Sequence, residues 1–294
     1  MKKFKGTGVA IVTPFKTDLS IDFAALGRVV NHVIEGGVNY IVAMGTTGES
    51  VTLTKDEKKA IISYVAEAID GRVPLVIGIG GNNTQEVINS IRQSNLSGVD
   101  GILSVAPYYN KPTQRGLFQH FKAIATCSSL PVIIYNVPGR TSCNITSETC
   151  LELAHNCENI VGVKEASGDI SQIMKIIKGK PENFSVISGD DMLIIPIIAA
   201  GGTGVISVLA NAYPEQCSEI VNNAIKNNFK SARELQFRFL EMIELLFVEG
   251  NPAGVKAMMS TMNLCSNTLR LPLVTTSRST YSRIQKAMEE VSRK

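Results

Sequence analysis

The chain has 294 residues, 44% of them hydrophobic and 19% charged, with a formal net charge of +3. That is globular composition with enough apolar mass for a full core. Lys and Arg are scattered rather than clustered, which argues against nucleic acid as a partner, and no run of about 18 apolar residues argues for a membrane span.

Met1-Lys2-Lys3 precedes an apolar run from Val9 to Phe15. The run is short for a secretory leader, contains Thr13 and Pro14, and is followed by Lys16 and Asp18. It reads as a first strand, with a secretion leader as the alternative. Asp22 to Glu35 carries Phe23, Leu26, Val30 and Val33 on one stripe and stops at Gly36-Gly37, the pattern of an amphipathic helix. Further runs rich in Val and Ile begin near Tyr40, Pro74, Gly101, Pro131, Val161, Phe184 and Gly204. Each is continuously apolar, which predicts parallel strands buried on both faces. Thr54-Lys55-Asp56-Glu57 has the spacing of a capping box, and Asn83-Thr84-Gln85-Glu86 repeats it. Other helices are predicted near 115–127, 146–156, 170–178, 190–200 and 214–227.

Eight strands each followed by a helix predict a closed (β/α)8 TIM barrel. A doubly wound open sheet is the runner-up, but it would place a glycine-rich phosphate turn where Thr13-Pro14-Phe15 stands. Residues 1–228 are assigned to the barrel. Residues 229–294 are assigned to a C-terminal helical extension, with helices near 231–248, 252–262 and 276–291 packed on the barrel and no low-complexity linker between. The six cysteines form no C-x-x-C pair. Cys150 and Cys157, seven apart on a helix, would lie roughly 10 Å from each other and cannot share one metal. Free thiols in a reducing cytoplasm are the expected state, and no metal is expected.

In such barrels chemistry sits at the C-terminal ends of the strands. Lys164 is the outlier there, a charged residue inside the apolar run Gly162-Val163-Lys164-Glu165-Ala166. Burying an ammonium is costly and favours the neutral amine, a nucleophile toward carbonyls. Gly162 and Ala166 would share its face and leave it room. The competing reading is a structural lysine paired with a carboxylate or reaching out to solvent. The histidines His32, His120 and His155 all fall in helices, so acid–base work would need other groups. Tyr135 sits one strand over from Lys164, and Tyr109 and Thr47 end other strands, although a core aromatic is the alternative for Tyr135. Arg140 suits bidentate carboxylate binding, or is a solvated loop residue. Asp190-Asp191 would repel phosphate after strand 7 and reads as a helix cap rather than a metal site.

The segments Gly45-Thr46-Thr47-Gly48-Glu49, Pro107-Tyr108-Tyr109-Asn110-Lys111-Pro112, Tyr135-Asn136-Val137-Pro138-Gly139-Arg140-Thr141 and Gly162-Val163-Lys164-Glu165-Ala166 resemble those of the dihydrodipicolinate synthases. These form a branch of the pyruvate-dependent Schiff-base aldolases. The likeness runs from Gly6-Thr7 to Gly250-Asn251-Pro252. It implies a Schiff base between Lys164 and pyruvate and needs no separate cofactor. It implies a proton relay of Tyr135, Thr47 and Tyr109, with Tyr109 reaching a neighbouring subunit's site in a homotetramer of dimers. Thr46 would hold the pyruvate carboxylate, Arg140 the carboxylate of aspartate 4-semialdehyde, and the Gly189 and Ile206 carbonyls would line the pocket. Ser50, Asn82, Glu86 and Tyr108 match the lysine-effector pocket of the resemblance. Lys55 and Lys58, however, stand where lysine-inhibited members carry histidines, so weak lysine feedback is expected. N-acetylneuraminate lyase or a keto-deoxy sugar acid aldolase is the rival within the superfamily, disfavoured by Arg140. A non-catalytic small-molecule-binding barrel is the rival from another class, disfavoured by Lys164, Tyr135 and Tyr109 standing together.

Overall fold

The structure is a computed structural model that describes residues 3–292. Met1 and Lys2, where the leader reading begins, and Arg293 and Lys294 lie outside the described residues. Eight strands close in sequence order into one barrel: β1 (Gly6–Ala10), β2 (Tyr40–Ala43), β3 (Leu75–Gly78), β4 (Gly101–Val105), β5 (Val132–Asn136), β6 (Ile160–Glu165), β7 (Ser185–Ser188) and β8 (Gly204–Ser207). All neighbours are parallel, and β1 closes on β8 with Gly6 opposite Gly204. The closed (β/α)8 barrel is therefore the observed fold, and the open doubly wound sheet is excluded.

Strand alternation divides the core in two. Val42, Val76, Leu103, Ile133, Ile187 and Ile206 fill the barrel interior with Tyr40 and Tyr135. Ile41, Ile77, Ile102, Ile134, Val163 and Val186 face outward and pack under the helices. Both faces are thus apolar, which is why the strands read as unbroken hydrophobic runs. The first strand begins earlier than its apolar run. Gly6-Thr7-Gly8 carries no hydrophobic signal because neighbours fill the space above its glycines: a Cβ on Gly6 would collide with the Asn39 side chain and one on Gly8 with the Tyr40 ring. Past Ala10 the chain stays buried without continuing the strand, and Thr13 donates instead to the Gly48 carbonyl at 2.7 Å.

Helices follow each strand: α1 (Phe23–Glu35), α2 (Lys55–Ile69), α3 (Thr84–Gln93), α4 (Gln114–Cys127), the single turn α5 (Pro138–Thr141), α6 (Ser147–Asn156), α7 (Ile170–Gly179), α8 (Ile194–Ala199) and α9 (Pro214–Ile225). The capping box of α2 forms, with Thr54 Oγ1 accepting from the Glu57 amide at 3.2 Å and Glu57 accepting from the Thr54 amide at 2.8 Å. The helix expected over 190–200 is split, because Asp191 turns inward. It bonds the Ser207 hydroxyl and the amides of Val208 and Leu209, so a 3₁₀ turn over Asp191–Leu193 precedes α8.

Beyond α9 come α10 (Phe229–Arg238), α11 (Leu240–Leu245), α12 (Ala253–Thr261) and α13 (Arg278–Ser292). The single helix predicted over 231–248 is thus two, broken at Phe239, whose buried ring packs edge-on against Tyr213 at 5.1 Å. α10 packs on α9, and α13 packs on α11 and α12. Among the described residues no helix is long and apolar enough to cross a membrane.

Candidate active site

Lys164 stands near the C-terminal end of β6 and is 5% exposed. β6 carries a bulge: Val132 pairs with Ile160 but Ile133 with Gly162, leaving Val161 as the additional residue. From Gly162 onward regular alternation returns, which puts Lys164 and Ala166 on the inner face. A Cβ on Gly189 would lie 3.0 Å from Lys164 Cε, 3.1 Å from its Cγ and 2.8 Å from the Ala166 Cβ. Glycine at the end of β7 therefore leaves the channel through which the lysine reaches the cavity. The Lys164 amine lies 4.3 Å from the centre of the Tyr135 ring. Among the described residues no carboxylate lies within ion-pair distance of it.

The register explains why these two side chains meet. Tyr135 and Lys164 are direct partners across β5 and β6, and so are their outward-facing neighbours Asn136 and Glu165. Asn136 Nδ2 donates to both Glu165 oxygens at 3.0 and 3.2 Å, and Gln172 adds a third bond at 3.2 Å. The Ile145 amide donates to Asn136 Oδ1 at 2.9 Å, which ties down the loop after Arg140. Burial pushes the Glu165 carboxyl above its ordinary range, and these donors oppose that shift. The polar network thus fixes the strand ends from behind, while Tyr135 and Lys164 project to the inner face.

Two adjoining cavities open at this end of the barrel. The smaller, about 180 Å³, is lined by Thr46, Thr47, Tyr135, Arg140, Lys164, Gly189 and Asn251 among others. The larger, about 410 Å³, shares Thr46, Tyr135, Arg140 and Asn251 and extends to Ser50, Lys58 and Tyr108. Arg140 sits on the α5 turn and projects from its exposed side, where it borders both cavities. Tyr135, Thr47, Thr46, Arg140, Gly189 and Lys164 are therefore gathered at one place. Ile206 is buried in β8 and lines neither cavity. Tyr109 is 88% exposed, has a left-handed backbone (φ 77°), and also lies outside both. Of the effector candidates, Ser50 and Tyr108 line the larger cavity, while Asn82 and Glu86 are exposed and do not, although Asn82 Nδ2 donates to the Tyr108 carbonyl at 3.4 Å. Lys55 is exposed; Lys58 is partly buried, which pushes its ammonium below the usual lysine range.

The loop after β2 holds features that sequence reading missed. Glu49 has a left-handed backbone (φ 51°) and is fully buried against Lys256 of α12, Oε1 to Nζ 2.6 Å. Lys256 also donates to the Thr268 carbonyl at 2.8 Å and lies 4.3 Å from the Phe15 ring centre. Burial lowers the Lys256 pKa, and Glu49 opposes that shift. The Arg270 amide donates to Glu49 Oε2 at 3.1 Å, while its guanidinium grips Glu57. Asn251 Nδ2 donates to Thr47 Oγ1 at 3.0 Å. Nothing local announces these roles, since Asn251 and Lys256 meet partners 204 and 207 residues away. Among the described residues no group of three or more His, Cys, Asp or Glu side chains could hold a metal ion.

Chemically, an unpaired buried amine, a phenol, a threonine hydroxyl and a forward guanidinium suit covalent capture of a keto acid. Comparison with known proteins identifies the family. The model of the dihydrodipicolinate synthetase family matches residues 3–291. A 4-hydroxy-tetrahydrodipicolinate synthase of Flavobacterium psychrophilum is 49% identical over 293 residues, all of both chains. The crystal structure of a dihydrodipicolinate synthase from Thermotoga maritima superposes with a TM-score of 0.96 at 40% identity, covering 99% of each chain. A solved monomeric dihydrodipicolinate synthase variant superposes equally well, TM-score 0.96 at 39% identity, over 99% of this chain and 97% of that one.

Proposed function

We propose a function from one premise: this chain belongs to the dihydrodipicolinate synthetase family. Its reaction is the condensation of pyruvate with L-aspartate 4-semialdehyde to 4-hydroxy-tetrahydrodipicolinate, a lyase-class step of lysine and diaminopimelate biosynthesis. The residue roles below are our assignment, and the unpaired, buried Lys164 amine over the Tyr135 ring carries it.

The Lys164 amine attacks the keto carbon of pyruvate, and loss of water leaves an iminium. This cation draws electrons from the methyl group, which gives up a proton to form an enamine. The enamine carbon attacks the aldehyde carbon, whose oxygen takes a proton and becomes the hydroxyl. The substrate's own amine then adds to the iminium carbon and displaces Lys164, closing the ring. One water leaves overall, and the lysine returns unchanged. Pyruvate itself, bound as the Schiff base, supplies the electron sink.

Tyr135 is assigned as the proton carrier, since its ring lies beside the amine that must gain and lose protons. Thr47 supports it from the same cavity, and Thr46 borders the place for the pyruvate carboxylate. Arg140, fixed on a single helical turn, is assigned to the carboxylate of the semialdehyde. Gly189 is assigned to the lining beside the lysine stem, and Ile206 to the β8 wall below it. Tyr109, exposed on a left-handed turn, is assigned to a partner's site in a homotetramer of dimers. Sedimentation velocity tests that assembly. The free cysteines, mostly buried, fit a reducing cytoplasmic setting.

Borohydride reduction with pyruvate tests the central assignment. The expected mass adduct falls on the Lys164 peptide and is lost in Lys164→Ala. An adduct elsewhere, or none in the active parent enzyme, removes Lys164 from the role.

A further inference from the structure

Asn251 lies outside the barrel, just before α12, yet it borders the cavity that holds Lys164. It is buried, and its Nδ2 donates to Thr47 Oγ1 at 3.0 Å. Its Oδ1 is buried without a hydrogen-bond partner among the described residues. The same short loop is gripped again two residues on, where Lys256 holds Glu49. A chain segment from the end of the sequence thus fixes both the backbone course of this loop and one hydroxyl on it.

A threonine hydroxyl has one hydrogen to give and lone pairs to receive. Asn251 occupies the receiving side. The hydrogen must then point elsewhere, and among the described residues the Thr47 hydroxyl meets no acceptor. The open direction is the cavity that Thr47 shares with Tyr135 and Lys164. We infer that Asn251 is a positioning residue that holds the Thr47 hydroxyl as a hydrogen donor toward the reacting centre. This rests on the assignment of Thr47 to the proton relay. With the hydroxyl reversed, Thr47 would spend its hydrogen on residue 251, and the relay would lose its direction of transfer.

The test compares Thr47→Val, Asn251→Leu, their double variant and Asn251→Asp, each checked by thermal melting. Turnover is measured with pyruvate and aspartate 4-semialdehyde. Both single variants are expected to lower kcat about 10–100-fold, within the reach of a proton-transfer device, with KM for pyruvate within about threefold of the parent. The double variant should fall no more than about threefold below the weaker single, because both changes remove one linked unit. Asn251→Asp keeps the shape but can only accept once ionised, so its kcat should rise as pH falls and the carboxyl regains a proton to donate. Losses that multiply in the double variant, or full recovery in Asn251→Asp at every pH, would overturn the proposal. Full kcat in Asn251→Leu beside a crippled Thr47→Val would overturn it while leaving the relay intact. Full kcat in Thr47→Val would remove the relay assignment itself and this inference with it. If Asn251→Leu fails to fold, Asn251→Asp and its pH profile decide.

Discussion

Lys256→Met tests how the extension supports the barrel. The change leaves Glu49 as a carboxylate with fully buried side-chain surroundings and only the Arg270 amide at hydrogen-bonding distance on its other oxygen. Removing one partner of such a pair costs about 3–5 kcal/mol, because the remaining charge stays desolvated. Unfolding entropy near 2.1 cal/mol/K per residue gives about 0.6 kcal/mol/K for this chain, so the melting temperature should drop by about 5–8 °C. Glu49→Gln with Lys256→Met removes both charges and keeps the volumes. Its expected cost is only that of the lost bond to the Thr268 carbonyl, about 0.5–1.5 kcal/mol. Differential scanning calorimetry of the parent, the single and the double variant measures all three. If Lys256→Met melts within about 1 °C of the parent, or the double variant is no more stable than the single, the uncompensated-charge argument is wrong. The single variant should also lose turnover, since Glu49 shapes the loop that presents Thr46 and Thr47.

Other outcomes follow from the same geometry. Gly189→Ala places a methyl against the Lys164 stem and the Ala166 side chain; we expect at least about a tenfold slower borohydride-trapped adduct formation with little change in melting. Glu57 is held near a pKa of about 2, chiefly by its bond to Arg270. Its folded value is depressed, so its stabilisation is present above the ordinary carboxylate value of 4.5 and is lost as pH falls toward 2. Glu57→Gln should therefore be less stable than the parent at pH 6, and urea titrations should show the gap narrowing at pH 4 and again at pH 3. Lys58 adds a cationic wall to the cavity beside Ser50 and Tyr108, so free lysine should inhibit weakly or not at all. Half-inhibition by lysine at submillimolar concentration would contradict that reading.

How far the sequence carried depends on how local each signal is. A strand buried on both faces writes itself as an unbroken apolar run, so eight strands and their order were legible. Lys164 was legible for the opposite reason, as a charge interrupting such a run. The start of β1 was not, because Gly6 and Gly8 contribute space rather than side chains. Asp190-Asp191 was legible as a cap, and Asp190 does accept from the Met192 amide, but the inward turn of Asp191 was not legible. Its hydrogen-bond donors lie at and just past the end of β8, and their pull breaks the helix that periodicity suggested. Asn251 stood out only within Gly250-Asn251-Pro252, and the roles of Asn251 and Lys256 were not legible, since they are defined by contacts more than 200 residues distant. The bulge at Val161 was equally hidden, because the run Ile160-Val161 is apolar whichever way each side chain turns.

The long separation between Glu49 and Lys256 also sets an order of events during synthesis. The ribosome releases the lysine-bearing strand and every barrel strand well before α12 emerges. Until then the loop carrying Thr46 and Thr47 lacks its Asn251 and Lys256 anchors and keeps the Thr13 bond to the Gly48 carbonyl, so the nascent barrel should be a nearly complete scaffold with its centre incompletely set. Competence toward a keto acid should then arrive only with the final stretch of polypeptide, and a chain that stalls or is clipped near residue 230 should be inert.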